Sequence, residues 1–299
     1  MPNSTKGLRF HMKNMIAILL ALIGIMGCMS FTSAEEAKPV ILVVSFGTSY
    51  TDNLDLSIGA VEADIAAAFP GYEIRRAFTA QTVIDILSER DGHAIDNVIE
   101  AMDKLVADGI TKVVVQPTHV MNGAEYDDMI AEITPYADKF EVMAVGTPLL
   151  TSYEDYEAVI AALLADNENA GSADTALVYM GHGTHHFANA TYSQLEAMMH
   201  AEGYENAFVG TVEGFPTLEV VQSQVAAYGA NKIILMPLMV VAGDHACNDM
   251  AGDEEDSWKV ILTDAGYDVE CVLEGLGQNA DIRAIYVDHV KAAIAGSGL

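Results

Sequence analysis

Two short stretches hold most of the chemistry this chain can offer. Residues 243–249 read Gly-Asp-His-Ala-Cys-Asn-Asp, and residues 181–186 read Gly-His-Gly-Thr-His-His. Each follows an apolar run, Lys232–Leu238 and Ala176–Met180, of the kind a buried strand makes. Imidazole is the commonest ligand for borderline divalent metals such as cobalt, iron, nickel and zinc. The flanking glycines allow sharp turns and close backbone approach. His182 and His245 are therefore candidate metal ligands. Glu213, in the run Gly-Thr-Val-Glu-Gly-Phe-Pro at 210–216, closes a third apolar segment and is the third candidate. Two histidines and a carboxylate leave positions open on an ion, as a site that passes its metal on requires. Separations of this length form no motif, and loop hydrogen bonding explains each residue alone equally well. Around the three, His185 and His186 are neighbours or solvent-facing residues. Cys247 is a soft ligand or a small buried thiol. Asp244, Asn248 and Asp249 are candidate hydrogen-bond partners that would orient His245.

These residues need strands to present them, and the chain supplies a regular alternation. Strands are expected at Val40–Ser45, Glu73–Phe78, Lys112–Gln116 and Glu141–Val145, with helices at Asn53–Phe69, Thr82–Leu87, Ile95–Asp108 and Tyr126–Lys139 between them. The pattern then restarts. Helices at Tyr153–Ala165, Thr191–Glu202, Leu218–Tyr228, Asp256–Ala265 and Asp281–Ile294 alternate with strands at Thr175–Met180, Ala207–Thr211, Lys232–Leu238 and Asp268–Val272. The halves match at corresponding points. Val43–Thr48 parallels Tyr179–Thr184, and Lys112–Tyr126 parallels Lys232–Ala246 with Pro117 on Pro237 and Gly123 on Gly243. In that register Phe46 stands where His182 does, and Glu125 where His245 does. The expected fold is α/β, with two similar parallel-sheet lobes, residues 35–150 and 151–299, facing a central cleft. Such a cleft at strand ends is the default ligand site. His119 and Glu125 of the first lobe would face it, and residues 45–49 (Ser-Phe-Gly-Thr-Ser) could hold an anion through backbone N–H groups.

Composition narrows the partners. The 299 residues carry 14 Lys+Arg against 43 Asp+Glu, a formal net charge of −29, which argues against nucleic acid and anionic membrane surfaces. No Gly-x-Gly-x-x-Gly follows the first strand, and there is no P-loop or Gly-x-Ser-x-Gly elbow. The N-terminus reads as an export signal, residues 1–34. Lys6, Arg9 and Lys13 precede the apolar run Met15–Met29, and small residues lead to Ala34. Cleavage near Ala34 would release a soluble periplasmic protein of net charge −32, with no membrane span. The alternative is a lipid on Cys28. With the segment gone Cys247 and Cys271 remain, and separate thiols are expected over a disulfide. A homo-oligomer is admitted.

At these residues the chain resembles the anaerobic cobalt chelatases of the cobalamin pathway, the CbiK type. The resemblance covers nearly all of residues 39–295. It rests on Val43–Tyr50 (Val-Val-Ser-Phe-Gly-Thr-Ser-Tyr), Arg76–Thr79, Thr147–Leu150, Met180–Gly183, Val212-Glu213, Met236–His245, Asn248–Met250 and Asp256–Lys259. It implies a ferrochelatase-like fold and ATP-independent insertion of Co²⁺, and also of Fe²⁺, into sirohydrochlorin. His182 and His245 would serve metal binding and proton removal, and Glu213 would complete the metal site. On the tetrapyrrole side the candidates are Ser45, Phe46, Thr48, Arg76, His119 and Glu125, with Arg75 and Arg283 as further cations for the eight substrate carboxylates. Two features depart from the family. The His185-His186 pair is one residue closer than in Gly-His-Gly-x-x-His-His, and export is unusual for a cytoplasmic pathway. His93, in Asp-Gly-His-Ala at 91–94, replaces an apolar residue, so haem b on His93 or His119 is a further expectation. The alternative function is a periplasmic metal or tetrapyrrole (haem) binding or transport protein using the same cleft.

Overall fold

The computed structural model describes residues 38–299. The expected export segment, with His11, Cys28 and the cleavage position near Ala34, lies outside the described residues. Two four-stranded sheets form the frame, and every pairing in them is parallel. The first contains β1 (Val40–Ser45), β2 (Glu73–Phe78), β3 (Lys112–Pro117) and β4 (Val142–Val145) in the order β2-β1-β3-β4. The second contains β5 (Thr175–Gly181), β6 (Ala207–Thr211), β7 (Lys232–Pro237) and β8 (Asp268–Cys271) in the order β6-β5-β7-β8. The orders are the same, so the likeness read between the halves is a likeness of topology as well.

The helices are α1 (Thr51–Leu56), α2 (Ile58–Ala68), α3 (Gln81–Asp91), α4 (Val98–Ala107), α5 (Ala124–Ile133), α6 (Tyr153–Leu164), α7 (Ala190–Ala201), α8 (Leu218–Tyr228), α9 (Trp258–Asp264) and α10 (Ala280–Ser297). Central parallel strands have both faces covered and so run apolar throughout. Val40 to Val44 of β1 are fully buried, as are Val113 to Val115 of β3. The outer face of the first sheet packs on α4 and α5 through Met102, Leu105, Met129 and Ile133. The second sheet packs on α8 and α9 through Val221, Val225, Trp258 and Leu262. The inner faces share one continuous core, to which α2, α6, α7 and α10 contribute Ile65, Val159, Leu195 and Tyr286.

Two departures from the sequence reading have visible causes. The helix expected over Asn53–Phe69 is broken at Ser57, whose hydroxyl donates back to the Asn53 carbonyl. The backbone of Gly277 sits against Ser57, so closely that a Cβ there would be 3.0 Å from it. The second departure is α10. It follows the second sheet in sequence yet packs on α2, α6, β3 and β4. Tyr286 is fully buried and donates to the Thr118 carbonyl at 2.7 Å, and Arg283 pairs with Asp64 of α2 at 2.6 Å. His289 joins the same contact. Its Nδ1 meets the Thr147 carbonyl at 3.0 Å and its Nε2 the Asp155 carboxylate at 2.8 Å. A partition at residue 150 thus separates the sheets but not the helical layers. His289 is buried in this contact.

Candidate metal centre

In an open parallel sheet the crevice opens at the carboxyl ends of the two strands where the order reverses. In the second sheet those strands are β5 and β7. His182 is the first residue after β5, and His245 lies in the loop after β7. Glu213 follows the neighbouring edge strand β6. Main-chain bonds carry the sheet past its strand ends, with Val212 N–H donating to Gly181 O at 3.0 Å and Glu213 N–H to His182 O at 2.8 Å. The two loops also touch back to back. Gly183 has φ +87°, and a Cβ there would lie 2.5 Å from Gly214 N, so only glycine fits.

The result is a donor set. One ligand atom each from His182, Glu213 and His245 lies within 4.8 Å of the other two. Three nitrogen or oxygen ligands spread evenly at about 2.1 Å around one ion are about 3.4–3.6 Å apart. The set therefore closes on an ion when each ligand atom moves inward by up to about 0.7 Å. The imidazoles meet edge to face, centroids 4.6 Å apart and planes at 85°. Their Nδ1 atoms are already engaged. That of His182 faces the Gly183 carbonyl at 2.9 Å, and that of His245 faces the Asp249 carboxylate at 2.5 Å. Both partners only accept, so each Nδ1 carries the hydrogen and each Nε2 keeps the lone pair that a metal ligand needs. With Glu213 ionised the set carries one negative charge toward a divalent cation.

The loop holding His245 is a single turn of π-helix, Ala246–Met250. The i→i+5 winding brings Asp249 beneath His245 and is a form common at functional sites. Across the cleft the first lobe grips the same loop. Asn53 Nδ2 donates to Ala242 O at 2.5 Å, and the Tyr50 hydroxyl donates to Asp244 Oδ1 at 3.1 Å, an atom that also accepts from Asn248 Nδ2 at 2.8 Å. Burial and then the Asp244 carboxylate push the Tyr50 pKa up. The same two causes raise that of the Cys247 thiol. Cys247 is thus kept protonated and lies outside the donor set, and Cys247 and Cys271 are both free thiols. On the other flank His186 accepts from Ala188 N–H through Nδ1, which leaves the hydrogen on Nε2, 3.4 Å from Asp127 of α5. His185 is exposed.

The remaining nominated residues do not gather at the ion. Phe46 and Glu125 are exposed at the carboxyl end of the first sheet. Ser45 and Thr48 turn inward, the Ser45 hydroxyl accepting from Thr118 Oγ1 at 2.7 Å and the Thr48 hydroxyl from Tyr50 N–H at 3.1 Å. Arg76 is held by Glu62 of α2 through two bonds of 2.7 and 2.6 Å. Arg75 is taken by Glu73 and Asp108, and Arg283 by Asp64. These arginines are candidates for the substrate carboxylates in the sequence; in the structure carboxylates occupy them, Glu73 from the same strand as Arg75 and Glu62, Asp64 and Asp108 from other elements. Both ring nitrogens of His119 are enclosed without a hydrogen-bond partner, and burial pushes its pKa down to about 4. His93 is exposed just beyond α3. Among the described residues no helix is long and apolar enough to cross a membrane.

A model of the family described as cobalt chelatase (CbiK) matches residues 39–295. The chain belongs to the cobalt chelatase (CbiK) family. Within it, a sirohydrochlorin cobaltochelatase of Salmonella typhimurium is 41% identical over 257 residues, which are 86% of this chain and 97% of the relative. Sirohydrochlorin cobaltochelatase CbiKC of Nitratidesulfovibrio vulgaris is 33% identical over 260 residues, 86% of this chain and 91% of the relative. Among solved structures, SirB of Bacillus subtilis with Fe³⁺ superposes with a TM-score of 0.59 at 13% identity, covering 87% of this chain and 97% of that one. CbiX, the terminal enzyme for sirohaem biosynthesis in denitrifying bacteria, gives 0.52 at 17% identity, covering 85% and 99%. At such identities the likeness concerns the fold, and the fold of this family member is the two-lobed chelatase fold.

Proposed function

We propose that this cobalt chelatase inserts Co²⁺ into sirohydrochlorin without ATP, and that His182, Glu213 and His245 hold the incoming ion. The convergence of three ligand atoms within 4.8 Å at the switch point of the second sheet carries the reading. The activity for which the two relatives are named supplies the substrate class. Metallation must deliver a cation and remove two pyrrole protons. A neutral imidazole does either near pH 7. An ion bound by only three side chains keeps exchangeable positions, which the macrocycle nitrogens take as the protein ligands let go. A carboxylate orients the His245 ring, and a peptide carbonyl orients that of His182.

The same donor set suits Fe²⁺, so insertion of iron is included in the proposal. So is export, which would place the reaction in the periplasm. Haem is not needed for it: His93 stands exposed, and His119 has no ring nitrogen open to an outside ligand. The test is the absorbance change on mixing the protein with Co²⁺ and sirohydrochlorin. Acceleration over the spontaneous rate is expected, with a smaller acceleration for Fe²⁺. A rate equal to the protein-free control would leave only a binding protein and defeat the enzymatic reading.

A further inference from the structure

The metal ligands come from separate loops, and something must hold those loops in register once the sheet has ended. Main-chain pairing stops at Glu213. Beyond it the His182 loop runs through Gly183, Thr184, His185 and His186, and the Glu213 loop through Gly214, Phe215 and Pro216. One side chain spans the two. Asn189 Oδ1 accepts from Thr184 N–H at 3.0 Å, and Asn189 Nδ2 donates to the Phe215 carbonyl at 2.6 Å. A Cβ on Gly214 would lie 2.3 Å from Asn189 Oδ1, so the carboxamide sits directly against the Glu213 loop. A carboxamide offers an acceptor and a donor on one planar group, which neither a carboxylate nor a hydroxyl of the same reach reproduces.

We propose that Asn189 is a positioning residue for metal binding, a two-sided clamp that sets the spacing between His182 and Glu213. This rests on the reading of His182, Glu213 and His245 as the metal site. Asn189 touches no ligand side chain; it acts through Thr184 and Phe215, two residues beyond each ligand. The expected effect is therefore at the lower end of what partners around a metal site contribute, about tenfold in affinity.

A built-in control lies at the opposite end of the same sheet. Asn206 makes the same kind of bridge, its Oδ1 accepting from Gly171 N–H at 2.8 Å and its Nδ2 donating to the Asn169 and Thr175 carbonyls at 2.8 Å. It is fully buried and stands at the amino end of β6, away from the ligands. A carboxamide that only stabilises the fold should behave as Asn206 does.

The experiment is calorimetric titration of the full-length chain with Co²⁺ alone, beside thermal unfolding and steady-state kinetics with sirohydrochlorin. Asn189→Ala should weaken Co²⁺ binding about tenfold and leave KM for the tetrapyrrole unchanged. Asn189→Asp keeps the bond from Thr184 but sets a carboxylate against the Phe215 carbonyl, and it should weaken binding as well, which covers the case of an alanine variant that does not fold. Asn206→Ala should lower the melting temperature and leave Co²⁺ affinity as it was. Co²⁺ binding by both Asn189 variants within twofold of the wild type would overturn the clamp alone. Wild-type protein that takes up no Co²⁺ would overturn the metal site and the clamp together.

Discussion

The two sheets have one topology and two chemistries. The same three main-chain bonds extend each past its strands. In the first, Thr79 donates to Ser45, Ala80 to Phe46 and Thr118 to Val44. In the second, Val212 donates to Gly181, Glu213 to His182 and Leu238 to Met180. Superposing these bonds sets Phe46 on His182 and Ala80 on Glu213, and the sequence repeat sets Glu125 on His245. One lobe therefore presents a donor set where the other presents a phenyl ring, a methyl group and a lone carboxylate. The backbone frame is indifferent to the chemistry it carries, and three side chains decide which lobe holds the candidate donor set. A two-lobed cleft built this way can offer an ion from one wall while the opposite wall receives the macrocycle.

The comparison can be broken most directly at the ligands. His245→Ala should lower kcat/KM for metallation roughly 10²–10⁴-fold, the range for loss of a group that handles protons. Phe46→Ala, at the counterpart of His182, should cost less than about tenfold and act through KM, since a ring against the macrocycle is worth about 1 kcal/mol. Initial rates over a range of sirohydrochlorin concentrations decide it. Equal losses in kcat would erase the difference between the walls.

A smaller effect concerns stability, and it belongs to the first lobe. His119 is enclosed and neutral, with a pKa of about 4 against an ordinary value of 6.5. The unfolded chain thus takes up a proton between these values that the folded chain refuses. The stability tied to this group is complete above about pH 6.5 and is lost as pH falls toward 4. The loss amounts to about 3 kcal/mol for this one group. Urea unfolding of the wild type and of His119→Leu at pH 7 and pH 4.5 should show the variant losing less on acidification. Equal losses would mean that His119 finds a partner or water. The smallest effect is expected at Arg76, whose guanidinium is taken by Glu62. Arg76→Ala should leave KM for sirohydrochlorin within about twofold while lowering stability by roughly 1 kcal/mol, the worth of a partly exposed ion pair. A large rise in KM would show that the arginine leaves Glu62 for the substrate.

What the sequence disclosed follows from the range of the interactions involved. Strand positions were legible because β1, β3, β5 and β7 are buried on both faces and must be apolar throughout. The convergence of His182, Glu213 and His245 was legible because each stands one to a few residues beyond such a run, beside glycine. The break at Ser57 was not, since it depends on Gly277, more than two hundred residues away. Nor were the partners of Arg76 and Arg283, which the fold chooses from α2, whereas Arg75 has Glu73 two residues away. Asn189 was passed over for a similar reason. An asparagine in an Ala-Asn-Ala run looks like any helix-start residue until the Glu213 loop is laid against it. The π-turn after His245 leaves no composition signal, although the i,i+4 spacing of His245 and Asp249 was visible and hinted at the pair.

The last helix has a bearing on how the chain comes into being. The ribosome delivers β1 long before α10, with about 230 residues between them, yet α10 lies on the first sheet and buries Ile282, Tyr286 and Val290 in the shared core. At about 5–20 residues per second the first sheet waits on the order of ten seconds or more for its cover. Until then the core beneath β3 and β4 lacks Ile282, Tyr286 and Val290. The two halves, so alike in plan, are not independent parcels, because a helix that follows the second sheet completes the core of the first.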